Sequence, residues 1–169
     1  MTSTVFFEEI QRPRQIWVWV TLLSINILPL IGLYVQIVQG KPFGNNPMSN
    51  EGLIIIFCLL TTLTVFVLGL TLSTQVKEDG IYVRMAPLHR KERVYKWEDL
   101  HNAYVRKYKP LAEFGGWGIR YGFNQGMAFN ISGNMGLQLE FKNGKKLLIG
   151  TRNPEALAKV LEGRIAQPE

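Results

Sequence analysis

The chain has 169 residues and a formal charge of +6, long enough for about one domain. A single ordinary soluble domain is excluded by the placement of its hydrophobic residues, because two long blocks are dense in them and neither block contains a charged side chain. A lone cysteine, Cys58, excludes an intrachain disulfide and, set among Leu, Ile and Phe, reads as packing filler.

In chain order, the N-terminal stretch FFEEIQRPRQ places aromatic and basic residues just ahead of the first block. It is expected to lie along the inner headgroup layer, with Pro13 preventing a long helix. The blocks themselves, residues 16–38 and 53–76, each exceed the roughly 20 residues that cross a hydrocarbon core about 30 Å thick. Both lack the polar face of a helix buried in a soluble domain. The first is too long for the apolar region of a signal peptide and no small-residue cleavage site comes after it, so it is expected to be retained.

Trp17, Trp19 and Tyr34 sit near the ends of the first span, where amphipathic rings rest in the interface. Pro29 is placed to kink that helix. One turn earlier, Asn26 either hydrogen-bonds to the second span or a second copy of the chain, or is a tolerated lone amide. Thr61, Thr62 and Gly69 are the candidate contact residues of the second span. The connection 39–52, QGKPFGNNPMSNEG, has the composition of an irregular loop.

Charge sets the expected orientation. Residues 1–15 and 39–52 are each balanced, so the whole net charge of +6 lies after Val76. Cations close to a span stay on the cytoplasmic side. A multi-pass membrane protein is therefore expected, with both termini cytoplasmic and the 39–52 loop outside.

From Glu78 onward the pattern alternates. In GIYVRMAP, Ile81, Val83 and Met85 oppose Tyr82 and Arg84, as in a half-buried strand. RKERVYKW, NAYVRKYK, GWGIRYG, MAFNIS, GLQLEF and KKLLIGT bring the count to seven strands. Leu137, Leu139 and Phe141 point inward, and Lys142-Asn143-Gly144 forms a hairpin turn. The segment NPEALAKVLEGRIA opens with Asn153 as N-cap and Pro154 in the first turn, and its apolar residues recur at helical spacing. Seven strands and a closing helix predict a small bent sheet or partly open barrel capped by the helix.

The stretches VYKWEDLHNAYVRKY, GGWGIRYG and AFNISGNMGLQLEFKNGKKLLIGTRNPEAL resemble the bacterial pleckstrin-homology-like (PH-like) domains that stand behind a pair of transmembrane helices, over roughly residues 79–162. The resemblance implies two antiparallel sheets, seven strands and one C-terminal helix, and a place in a bacterial inner membrane. The expected organisation has three parts: an interfacial N-terminus (1–15), a transmembrane hairpin (16–76) and a cytoplasmic PH-like domain (77–169).

GGWGIRYG carries the glycines of a loose dinucleotide loop, but such a loop needs a helix after it, and the residues that come next, FNQGMAFNIS, alternate as another strand. The glycines are expected to serve a bulge or close backbone crossing. His89 and His101 have neither the helical companion of a metal pair nor a serine in a nucleophile elbow. Adjacent Glu98 and Asp99 are expected in the turn after Trp97, and no catalytic group, metal or cofactor is expected. Asn130-Ile131-Ser132 matches a glycosylation pattern that a cytoplasmic strand does not present to that machinery.

The basic residues carry the most information. Arg84, Arg90, Lys91, Arg93 and Lys96 gather around the first hairpin, with Arg106, Lys107 and Lys109 along the third strand. In the resembled fold the first hairpin of some members holds anionic headgroups, and each cation near an anionic leaflet adds roughly 1 kcal/mol. The competing possibility is a solvated positive-inside face without a ligand. Nucleic acid is disfavoured because Glu92, Glu98 and Asp99 dilute the field around the aromatic residues. Expected partners are thus the bilayer, anionic headgroups, and a membrane protein or a second copy. The function expected is a non-enzymatic binding module, with a structural subunit assembled through its helices as the alternative.

Overall fold

The computed structural model describes residues 4–162. It divides into two units: Pro13–Gly69, and the chain on either side of that segment.

The first unit is a helical hairpin. Helix α1, Ile16–Leu33, runs into a π-helical turn, Tyr34–Val38, and helix α2 spans Asn50–Leu68. Ser49 starts α2 by accepting the Gly52 N–H at 3.2 Å, with Glu51 in the first turn. Gln36 orders the intervening loop: its side-chain N–H groups donate to Met48 O and Asn50 Oδ1, and its Oε1 accepts the Phe43 N–H. Residues Ile16–Val38 and Asn50–Leu68 are both long and apolar enough to cross a membrane, and only 17% and 6% of their most apolar windows are buried within the protein. A core helix of a soluble domain would be mostly covered; these present their Leu, Ile and Val side chains outward.

The second span ends sooner than its composition suggests. Gly69 closes α2 by donating to Val65 O at 2.9 Å, and strand β2, Thr71–Lys77, comes next. Leu72, Thr74 and Val76 point inward from β2 and the residues between them are half-buried, a period-two pattern at the end of an uncharged block. The N-terminal segment also departs from expectation: Val5–Gln11 is strand β1, paired antiparallel with β2 from Val5↔Lys77 to Gln11↔Leu72. Phe7, Glu9 and Gln11 are buried in the β unit, so this segment is part of that unit's sheet and not a separate piece ahead of the helices.

That unit holds nine strands among the described residues. β1, β2, β3 (Gly80–Ala86) and β4 (Arg93–Lys96) form one sheet in that order. β5 (Leu100–Lys107), β8 (Met135–Phe141), β9 (Lys146–Gly150), β7 (Gly126–Asn130) and β6 (Gly118–Gly122) form the other. The seven expected strands are all present, joined by the two that the apolar and N-terminal segments concealed. Pairing is antiparallel except between β7 and β9, where β9 inserts beside β7 in parallel, a departure from the all-antiparallel expectation.

The sheets share a core of Leu72, Val76, Ile81, Val83, Met85, Phe129, Leu137, Leu139 and Ile149, covered in part by Leu157 and Leu161 of helix α4, Pro154–Leu161. Each such side chain contributes roughly 1.5–3 kcal/mol of burial. Pro154 opens α4 as expected, but Asn153 makes no side-chain cap; its backbone N–H donates to Thr151 Oγ1 at 3.1 Å.

A short helix that the sequence did not signal, α3 (Pro110–Phe114), precedes the glycine stretch. Gly115 ends it at φ 68, donating to Leu111 O while Gly116 donates to Pro110 O. The glycines of GGWGIRYG therefore terminate a helix and lead into the β6–β7 hairpin.

Candidate functional site

The turn between β3 and β4 is built on a buried histidine. His89 N–H donates to Met85 O at 2.6 Å, its Nδ1 accepts the Met85 N–H at 3.2 Å, and its ring meets Phe129 edge-on at 5.1 Å. Burial, and secondarily the charge of Arg93, lower its pKa, so the ring is held neutral. The role of His89 is thus to fix a turn whose exposed members include Arg90 and Lys91. The sequence shows only a histidine between a proline and three cations.

Arg84, on the outer face of β3, and Arg93, at the start of β4, are exposed as well, and the Arg93 guanidinium lies 5.5 Å from the Phe129 ring centre. Among the described residues none of Arg84, Arg90, Lys91 and Arg93 forms a salt bridge; the pairs are Lys96–Glu98, Arg106–Glu113 and Lys146–Glu140. Glu98 and Asp99 sit in a 3-10 turn, Trp97–Asp99.

Arg106 does not extend this cationic group. It belongs to β5 of the other sheet, where it donates to Gln138 Oε1 at 3.0 Å and pairs with Glu113 at 2.8 Å. Burial pushes the Glu113 carboxyl up, but Arg106 and the Lys109 N–H, which donates to Glu113 Oε1, more than offset it, leaving the pKa lowered. The Arg106 charge serves to hold α3 to the sheet. Lys107 is exposed on the same strand. The structure therefore groups Arg84, Arg90, Lys91 and Arg93 on one hairpin and leaves Arg106 and Lys107 apart from them on a different sheet.

A cleft of about 750 Å³ opens between β4 and the turns of the β6–β7 and β8–β9 hairpins. Tyr95, Met127, Phe141 and Leu147 give it an apolar lining, while Arg93, Lys145 and Lys146 supply cations. The Tyr95 and Phe141 rings stand 5.6 Å apart, and burial raises the Tyr95 pKa. Its volume is within the range of ligand and peptide pockets. The sequence scattered these residues over more than 50 positions, and only the fold gathers them.

In the helical unit, Asn26 donates to Thr64 Oγ1 at 2.8 Å and to Leu22 O at 2.7 Å, and accepts from Thr61 Oγ1 at 3.2 Å. Asn26 and Thr61 thus meet across the two helices, joined by Thr64. Thr62 donates to Cys58 O of its own helix, and Gly69 closes α2. Among the described residues no three His, Cys, Asp or Glu side chains gather as a metal site. No known protein family and no curated protein matches the chain.

Proposed function

We propose that the chain is a non-enzymatic protein of a bacterial inner membrane, anchored by the α1–α2 hairpin and displaying a PH-like β unit on the cytoplasmic side as a binding module for a protein partner, an anionic membrane surface, or both. One observation supports this most: four exposed cations, without salt-bridge partners among the described residues, stand on a single β hairpin whose turn is held by a buried, neutral histidine. A fixed turn presents its charges without first paying to order them. Arg12 and Arg14 before α1, against the single Lys41 in the loop, support a cytoplasmic position for both helix ends that adjoin the β unit. The alternative, a subunit assembled through its helices, draws on their apolar faces; Asn26 is already satisfied inside the hairpin.

A variant in which a short glycine-serine linker replaces residues 13–69 provides the test. It is expected to bind anionic vesicles at low salt, and changing Arg84, Arg90, Lys91 and Arg93 together to Ser is expected to weaken binding on the order of a hundredfold or more, at about 1 kcal/mol per cation. Equal binding by both forms overturns the hairpin as the anionic site.

A further inference from the structure

The β4 cleft combines three features that together select one kind of occupant. First, β4 is an edge strand: among the described residues it pairs with β3 alone, through Gly80↔Lys96 to Val83↔Arg93, so its other side offers unpaired backbone N–H and C=O groups. Second, the lining beside this edge is apolar, with Tyr95, Met127, Phe141 and Leu147 placed to receive a side chain. Third, the charged residues that line the cleft are all cations, and while Lys146 is shared with Glu140 at 3.6 Å, Arg93 and Lys145 form no salt bridge among the described residues. At the tip of the β6–β7 hairpin, Phe123 is 89% exposed and Tyr121, which lines the cleft, 77% exposed.

We propose that this cleft binds an extended acidic peptide segment of a partner protein, which adds as a strand to β4, places an aromatic or branched apolar side chain against Met127 and Leu147, and sets carboxylates against Arg93 and Lys145. This rests on the binding-module reading and names the partner's chemistry. An open strand edge satisfies another backbone, and side chains at alternate positions then give selectivity. An acyl chain leaves those backbone groups unpaired, and a nucleic acid brings no strand to pair with them. The acidic character comes from charge complementarity with a cleft that has no carboxylate in its lining.

The test is selection of a random dodecapeptide display library on the full chain held in zwitterionic nanodiscs. Enriched peptides are expected to alternate Asp or Glu with aromatic or branched apolar residues. They are expected to lose about tenfold or more in affinity on the Arg93→Ser/Lys145→Ser double variant, whose two positions are exposed and so leave folding intact. A second variant, Met127→Glu, is expected to reject the same peptides while an Arg84→Ser variant binds them normally. Acidic peptides that ignore Arg93→Ser/Lys145→Ser but respond to Arg84→Ser/Lys91→Ser overturn the cleft and leave the binding module standing. Enrichment without acidic bias overturns the proposed chemistry, and no enrichment at all overturns the peptide partner; vesicle binding by the linker variant then decides separately whether the module reading survives.

Discussion

Glu9 shows how a polar residue can hold the β unit together. Its carboxylate accepts the Thr151 hydroxyl at 2.7 Å and the Arg152 N–H at 2.8 Å, while Gln11 donates to Gly150 O at 2.7 Å. Together they satisfy the backbone where β9 ends and α4 has not begun. Removing the carboxylate leaves buried donors unpaired, so Glu9→Ala is expected to cost about 2–3 kcal/mol in urea unfolding of the linker variant. His89 gives a second prediction. The fold holds it neutral and its Nδ1 already accepts a backbone N–H, so the unfolded chain takes up the proton more readily. Stability is therefore expected to be full above a pH of about 6.5 and to fall as pH drops below that, with His89→Gln flattening the dependence. A pH dependence unchanged by the substitution contradicts this assignment. Neither role was legible in the sequence. A buried glutamate and an exposed one are spelled alike, and β1 inverts the usual pattern, facing Glu9 and Gln11 inward while Ile10 is exposed.

At the scale of elements, alternation in β3 and β8 and the Asn-Gly turn between β8 and β9 were readable because both signals are local. Ile81, Val83, Leu137 and Leu139 are fully buried, as their spacing required. β2 escaped because TLSTQV, although mostly Thr, Ser and Gln, carries no charge to mark where the uncharged block of α2 ends. Only Gly69 and a period of two betray it. The basic cluster was half legible: Arg90 and Lys91 are as exposed as expected, whereas Arg106 is claimed by Glu113, on a helix with no sequence signal. The β1–β2 pairing yields a sharp expectation. Gln11 and Leu72 are cross-strand neighbours, so a short linker in place of residues 13–69 is expected to give a folded, cooperatively unfolding β unit. The fragment 79–169 lacks β1, β2 and the buried Phe7, Leu72 and Val76, and circular dichroism is expected to find it unfolded. A natively folded 79–169 fragment contradicts the part assigned to β1 and β2.

For the whole molecule, the β unit is discontinuous in sequence: the helical hairpin is inserted between its first two strands. A reading by successive blocks places the boundaries in series and so assigns residues 1–15 and 69–76 away from the sheet. Recognising the insertion requires knowing that β1 and β2 pair across more than fifty intervening residues, and no local pattern carries that information. On the proposed membrane reading the insertion has a topological consequence: the β1–α1 and α2–β2 connections are expected on one side of the membrane and the 39–49 loop on the other. The most direct measurement is labelling with a membrane-impermeant maleimide in intact bacterial spheroplasts, using Cys58→Ser chains that carry either Asn45→Cys in the loop or Asn143→Cys in the exposed β8–β9 turn. The expected result is that Asn45→Cys labels from outside and Asn143→Cys labels only after the membrane is opened. Labelling of both from outside, or of Asn143→Cys alone, contradicts the membrane hairpin with a cytoplasmic β unit.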